Sequence, residues 1–312
     1  FELATGRLFS EALDAAGLPA EIIPESLRPG TVVGELSPDW AERLGLAAGL
    51  PLVVGGADHV LSAYAAGVEA EGDWLVKLGG AGDILAASDR PVVDPRLYLD
   101  AHPVPGRWLP NGCMATSGSL VRWFQGVIGG EAFDVLEAEA TVAPAASLLC
   151  LPYFLGEKSP LHDPNLRGAY VGLHLGHTRA DLYRATLEAI AFGFRHHAEI
   201  MSEMGISLTR AMITNGGSKS TLWKQIHADV LGAPMNPLVN HPGASLGAAV
   251  AAAIGVGVRD DWSCVSDFVS LTAPFEPDPE RSRRYDEAYL QWRELGAALQ
   301  PISHRLAGHS HP

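Results

Sequence analysis

Residues 212–234 read MITNGGSKSTLWKQIHADVLGAP. An apolar, β-type run ends at Thr214, and Gly216 and Gly217 follow. A helical pattern then begins at Thr221 and stops at Gly232, with Pro234 beyond it. Strand, glycine junction and helix in this order are the alternation that builds α/β layers. The N-terminus of such a helix offers free N–H groups and a positive dipole end, and the glycines admit a flat ligand close to the backbone. Simple strand-to-helix punctuation accounts for the same residues, so this junction alone leaves both readings open.

Two further glycine junctions lie upstream. Residues 73–88, DWLVKLGGAGDILAAS, are two β-type runs around a bare GGAG turn, which predicts a hairpin. Three glycines in four residues leave backbone N–H groups unshielded, a nest suited to phosphate oxygens; an ordinary glycine-rich hairpin turn is the simpler reading of this segment alone. The turn is no G-x-G-x-x-G fingerprint and opens no helix, so a Rossmann dinucleotide site is not indicated. Residues 52–67, LVVGGADHVLSAYAAG, place Asp58 and His59 just past a short strand. A carboxylate there is placed either to take a proton from a substrate hydroxyl or to cap a helix.

Elsewhere the pattern predicts helices over 5–18 and 37–46, the latter with Ser37 as N-cap and Pro38 at the first helical position. Strands are expected within 97–115, a stretch broken by Pro103, Pro105 and Pro110, then a helix over 120–128. Residues 148–173 read as a long loop with three prolines and three glycines, and loops of that length are commonly functional. The clearest helix starts at 179, behind a capping box from Thr178 to Asp181. Its stripe of Tyr183, Leu187, Ile190, Phe194, His197, Met201 and Met204 is spaced for one buried face. Further helices are expected over 245–254 and 279–299.

The chain has 312 residues, 47% hydrophobic and 19% charged, enough for a sizeable core. Its 22 basic and 36 acidic residues give a net charge of −14, which disfavours nucleic acid and anionic membrane as partners. The longest apolar run, residues 243–258, is rich in Ala and Gly and too short to span a bilayer. Cys113, Cys150 and Cys264 fit no metal or redox spacing and read as reduced thiols of a cytoplasmic protein. No metal-ligand cluster is evident; His196 and His197 point about 100° apart on a helix. The terminal GHSHP reads as a frayed end.

Taken together and in order, these segments resemble the carboxyl-terminal half of the FGGY family of carbohydrate kinases, of the xylulokinase type. The resemblance runs through LFSEALDAAGLPAEIIPE (8–25), VVGELSPDWAERLGLAAGLPLVVGGADH (32–59), NGGSKSTLWKQIHADVLGAP (215–234) and GASLGAAVAAAIGVG (243–257). Its most specific part is Leu151 to Glu188, within LPYFLGEKSPLHDPNLRGAYVGLHLGHTRADLYRATLEAIAFG (151–193).

The resemblance implies an actin-like, ribonuclease H-like α/β fold, a mixed sheet flanked by helices. It implies that residues 1–70 are the end of a sugar-side first domain and a hinge, and that residues 71–312 are the ATP-side domain. Most of the first domain, with the first phosphate loop, is then expected to be absent and the chain by itself inactive. It further implies ATP-dependent phosphorylation of a small sugar, most simply a pentulose such as xylulose, with Mg²⁺ as cofactor. A kinase for ribulose, glycerol or erythritol, or a non-catalytic nucleotide-binding relative, stays open. By position, Asp58 resembles the family's catalytic base and His59 a sugar-holding residue. Gly79, Gly80 and Gly82 resemble the second phosphate loop, and Gly216, Gly217, Ser218 and Thr221 the adenosine site, with Trp223 near the base. Relatives of this family are often homodimers.

Two departures stand out. The family's Gly-Thr-Ser-Gly loop is here Gly79-Gly80-Ala81-Gly82 followed by Asp83, which removes two hydroxyl contacts of roughly 0.5–1.5 kcal/mol each. The family's Gly-Glu-Arg is here Gly156-Glu157-Lys158, which loses a planar fork of donors.

Overall fold

The computed structural model describes residues 9–241 and 243–308. Chain order begins with helix α1 (Ser10–Ala16), strand β1 (Val32–Glu35), helix α2 (Pro38–Leu44), strand β2 (Pro51–Val53) and helix α3 (Asp58–Ala65). The hairpin β3 (Asp73–Leu78) and β4 (Gly82–Ala86) follows, then β5 (Tyr98–Ala101), β6 (Trp108–Met114), α4 (Gly118–Val127) and α5 (Phe133–Val142). The remainder is β7 (Leu149–Leu151), β8 (Ala169–Val171), α6 (Arg179–Glu203), β9 (Arg210–Thr214), α7 (Thr221–Leu231), β10 (Met235–Pro237), α8 (Ala244–Gly255) and α9 (Pro279–Gly308).

Among the described residues, six strands form one mixed sheet in the order β10-β9-β3-β4-β6-β5. The β10, β9 and β3 neighbours run parallel, whereas β4, β6 and β5 continue antiparallel. The parallel connections need crossover helices, and α7 supplies the one between β9 and β10. The chain is thus α/β with a mixed sheet flanked by helices, as expected.

Strand alternation divides the core. Trp74, Val76, Leu78, Ile84, Ala86, Ala211 and Ile213 face the layer built from α4, α5, α6, α7 and α9. Leu75, Leu85, Leu109 and Met212 point the other way and pack on Val60 and Ala63 of α3. Helix α8 covers α3 closely: a Cβ at Gly247 would stand 2.4 Å from the Leu61 carbonyl oxygen, so only glycine permits the approach.

The expected stripe on α6 is buried from Tyr183 to Met201 and half-buried at Met204. The capping box is present at its start, with Asp181 Oδ2 accepting from the Thr178 N–H at 2.8 Å. Ser37 holds the N-cap position of α2 but makes no side-chain cap bond. Strand β6 runs through Pro110 rather than breaking there. Ser88 and Trp108 exchange two hydrogen bonds, and in the same register Pro110 stands opposite Ala86 at the next hydrogen-bonding position, so its missing N–H is what interrupts the β4 ladder between the Asn111–Leu85 pair and the Ser88–Trp108 bridge. Of the helix expected over 5–18, residues 5–8 lie outside the described residues, as do residues 309–312 of the GHSHP tail.

Candidate functional site

The GGAG turn and the NGG junction sit side by side. Strands β3 and β9 are parallel neighbours in register, with Lys77 opposite Thr214, so both glycine junctions leave the same edge of the sheet. A Cβ on Gly79 would lie 3.3 Å from Asn215 Nδ2. The carboxyl ends of parallel strands are where α/β sheets bind ligands.

The turn is held by its carbonyls. Gly79 O accepts from the Gly118 N–H at 2.8 Å, and Gly80 O accepts from the N–H groups of Ser117 at 2.9 Å and Ser119 at 3.0 Å. The Ser119 hydroxyl donates to Gly80 O as well, at 2.8 Å. The N-terminus of α4 thus takes the carbonyl side of the turn. Among the described residues, the N–H groups of Gly80 and Ala81 donate no internal hydrogen bond.

The glycines divide by what they are for. A Cβ on Gly82 would meet Phe194 Cζ at 2.7 Å, and one on Gly217 would meet Trp223 Cζ3 at 2.4 Å and Leu78 Cβ at 2.6 Å. Packing therefore explains both. Gly80 and Gly216 are different: a Cβ on either would have nothing within 4 Å, and neither has a positive φ. The fold does not require glycine at these two exposed positions.

Around the second junction one expectation needs correction. The start of α7 is not an open donor end. The Leu222 N–H donates to Glu137 Oε1 at 2.8 Å, and the Trp223 N–H to Ser220 Oγ at 3.0 Å, which makes Ser220 the cap. Trp223 lies beneath the junction. It is 2% exposed, its indole N–H donates to Leu187 O at 3.1 Å, and its ring supports Gly217 from below. Ser218 Oγ closes the junction by donating to Asn215 O at 2.7 Å, and Thr221 is exposed at the first position of α7.

Asp58 is the first residue of α3, with Ala57 in the cap position, so the helix-cap reading of Asp58 does not hold. Its carboxylate accepts from the His59 N–H at 2.7 Å, and its side chain is 95% exposed. The carboxyl is held below the ordinary carboxylate range, first by that N–H, then by the His59 ring, with the Lys77 charge adding to both. His59 Nε2–H donates to Asp100 Oδ2 at 2.9 Å, while Nδ1 stands 3.4 Å from Asp58 Oδ1. The Asp100 hydrogen bond raises the imidazole above its ordinary range, against partial burial. Asn111 Nδ2 also donates to Asp100 Oδ2. Asp100 and Asn111 escaped sequence reading because only the sheet brings β5 and β6 under α3.

The orientation of α3 ties Asp58 to the turn. Arg210, the first residue of β9, pairs with Asp73, the first of β3, and donates to Gly67 O at the far end of α3 at 2.7 Å. The N-terminus of α3 therefore points toward the ends of β3 and β9.

The long 148–173 loop is a brace. It contains the antiparallel pair β7 and β8. Ser159 Oγ accepts from the Cys113 N–H at 2.6 Å and meets His197 Nε2 at 3.0 Å. Asp163 Oδ2 accepts from Gln300 and His304 of α9 at 3.0 and 2.6 Å. Glu157 Oε1 accepts from the N–H groups of Ala115 at 2.7 Å and Lys158 at 2.8 Å, and burial pushes its carboxyl up to about 7. Among the described residues no three His, Cys, Asp or Glu side chains converge as a metal site, and no helix is long and apolar enough to cross a membrane.

Comparison with known proteins gives a consistent result. The C-terminal domain of the FGGY family of carbohydrate kinases matches residues 81–256. A xylulose kinase of Staphylococcus epidermidis is 31% identical over 296 residues, covering 91% of this chain and 60% of that protein. A gluconokinase of Bacillus licheniformis is 25% identical over 305 residues, covering 93% of this chain and 60% of that protein. The crystal structure of xylulose kinase from Rhodospirillum rubrum superposes with a TM-score of 0.89 at 42% identity, over 97% of this chain and 62% of that one. The chain thus spans about 60% of the length of the curated relatives it matches.

Proposed function

The chain belongs to the FGGY family of carbohydrate kinases, and from that premise we propose that it forms the ATP-side part of a sugar kinase acting on a pentulose of the xylulose type. The observation that carries the nucleotide reading is the pair Gly80 and Gly216. They follow the adjacent ends of β3 and β9, and nothing within 4 Å would oppose a side chain on either. Glycine there keeps space for something outside the fold. The free Gly80 and Ala81 N–H groups border that space, and oriented backbone N–H groups suit phosphate oxygens. In this reading Gly79, Gly80 and Gly82 form the phosphate loop. Gly216, Gly217, Ser218 and Thr221 border the adenosine, over a floor made by buried Trp223.

Residues 1–70 are assigned to the end of a sugar-side domain and the hinge, and residues 71–312 to the ATP-side domain. Asp58 is the general base. The sugar hydroxyl oxygen attacks the γ-phosphorus, the bond from that phosphorus to the β–γ bridging oxygen breaks, ADP leaves, and the hydroxyl proton passes to the Asp58 carboxylate. His59, anchored by Asp100, orients a second sugar hydroxyl. Catalysis of this kind is mostly positioning and charge neutralisation. Mg²⁺ bound with the triphosphate would neutralise charge on the transferring phosphoryl group. The gluconokinase among the relatives supports a sugar acid as the second acceptor class to assay.

Asp58→Asn in the intact protein tests the base. Sugar phosphorylation should fall by roughly 10²–10⁴-fold while ATP affinity stays within about twofold. Undiminished turnover would overturn the assignment.

A further inference from the structure

Lys77 and Asp83 face each other across the β3–β4 hairpin, with Nζ 3.5 Å from Asp83 Oδ2. Pleat alternation puts both on the face that Leu75 and Leu85 present to α3. They are the last pair on that face before the glycine turn. The Lys77 side chain is only 13% exposed, so a cation is held largely out of water directly beneath the loop.

The groups around it are mostly acidic or neutral. Asp58 at the start of α3 and Asp83 on β4 are carboxylates. Beyond Asp83, Cys113 of β6 meets Lys158 Nζ at 3.7 Å. On the other side His241 follows β10 and lies 3.3 Å from Ser62 Oγ through Nε2. The Lys77 charge reaches both flanks: it acts on Asp58 after the His59 N–H and ring, and on His241 after burial.

An ammonium has three donors, and 3.5 Å is longer than the ~2.7–2.9 Å of a charge-assisted hydrogen bond. The pair with Asp83 is therefore loose. A triphosphate brought to the Gly80 N–H would add several negative charges beside Asp58 and Asp83, in a chain whose net charge is already −14.

We propose that Lys77 binds the phosphate chain of the nucleotide, and that Asp83 is the counter-ion that competes with the phosphates for its ammonium. The inference rests on the nucleotide site argued above. It deepens that reading by assigning the charge that the glycine loop alone does not supply.

Calorimetric titration of the full chain with ATP and, separately, with adenosine tests it in the parent, Lys77→Met, Lys77→Arg and Asp83→Asn. Lys77→Met should lose ATP affinity by about tenfold or more, with adenosine affinity within about twofold. Lys77→Arg should recover most of the loss. Asp83→Asn, which removes the competing carboxylate, should bind ATP more tightly. ATP affinity in Lys77→Met within about twofold of the parent, or equal losses for ATP and adenosine, would overturn the Lys77 assignment alone. A parent that binds neither ligand would overturn the nucleotide site itself and the assignment with it. Should Lys77→Met fail to fold, Asp83→Asn decides: tighter ATP binding supports the assignment, and unchanged or weaker binding overturns it.

Discussion

The same substitution at two glycines should produce two opposite phenotypes. In Gly217→Ala the new methyl would stand 2.4 Å from Trp223 Cζ3 and 2.6 Å from Leu78 Cβ. Leu78 is 1% exposed and Trp223 2% exposed, and Leu78 Cβ is fixed to the backbone of β3, so neither has room to retreat. Overpacking of this kind costs about 1–3 kcal/mol. In Gly80→Ala the methyl has nothing within 4 Å and the backbone carries no positive φ. Folding should be unaffected or favoured by about 0.4–1 kcal/mol, through the lower entropy of the unfolded chain. The methyl does fill the space beside the free Gly80 and Ala81 N–H groups. Losing one phosphate contact there costs roughly 1.5–3 kcal/mol, or about 10- to 100-fold in ATP affinity. Urea unfolding and ATP titration of the two variants separate the effects. Gly80→Ala should keep its midpoint and lose ATP, while Gly217→Ala should lose its midpoint first. Parental ATP affinity in Gly80→Ala would refute the reasoning that this glycine is kept for a ligand.

Two pH-dependent outcomes follow from the same geometry. His59 is raised by its hydrogen bond to Asp100, so the bonded imidazolium contributes stability that is fully present below its ordinary value of 6.5 and is lost as pH rises through the raised value. Asp100→Asn should lower the His59 midpoint in an NMR titration and cost stability only on the acidic side; an unmoved midpoint would contradict the contact. Glu157 is raised by burial to about 7 from 4.5, so the folded chain favours its protonated form, and that stability falls away as pH rises between those values. The loss is roughly 3 kcal/mol in all. Glu157→Gln keeps an Oε1 acceptor for Ala115 and Lys158 and should flatten unfolding stability across this window, whereas an unchanged slope would place the titration elsewhere.

What was legible in the sequence is what local chemistry dictates. The bare GGAG turn predicted the β3–β4 hairpin, and T-x-x-D with the 3-4 spacing predicted the start and buried face of α6. Gly232 stopped α7 where expected, in the left-handed conformation. Three readings needed the tertiary structure. The free N-terminus foreseen for α7 is taken by Glu137 and Ser220, and Glu137 lies on α5, a helix that sequence reading missed. Pro110 sits inside β6 because it removes a single bond to β4 and the pairing resumes in the same register at Ser88–Trp108. The Asp58–His59–Asp100 cluster joins residues 41 apart, and no local pattern records that pairing.

The central claim is that a nucleotide lies across the ends of β3 and β9, and amide NMR during an ATP titration of the full chain reads it directly. The account predicts saturable shifts concentrated at Gly79, Gly80, Ala81 and Gly82 and at Gly216, Gly217 and Ser218, with β7, β8 and α9 left in place. Saturable shifts that spare both glycine junctions, or no shift at millimolar ATP, would contradict it.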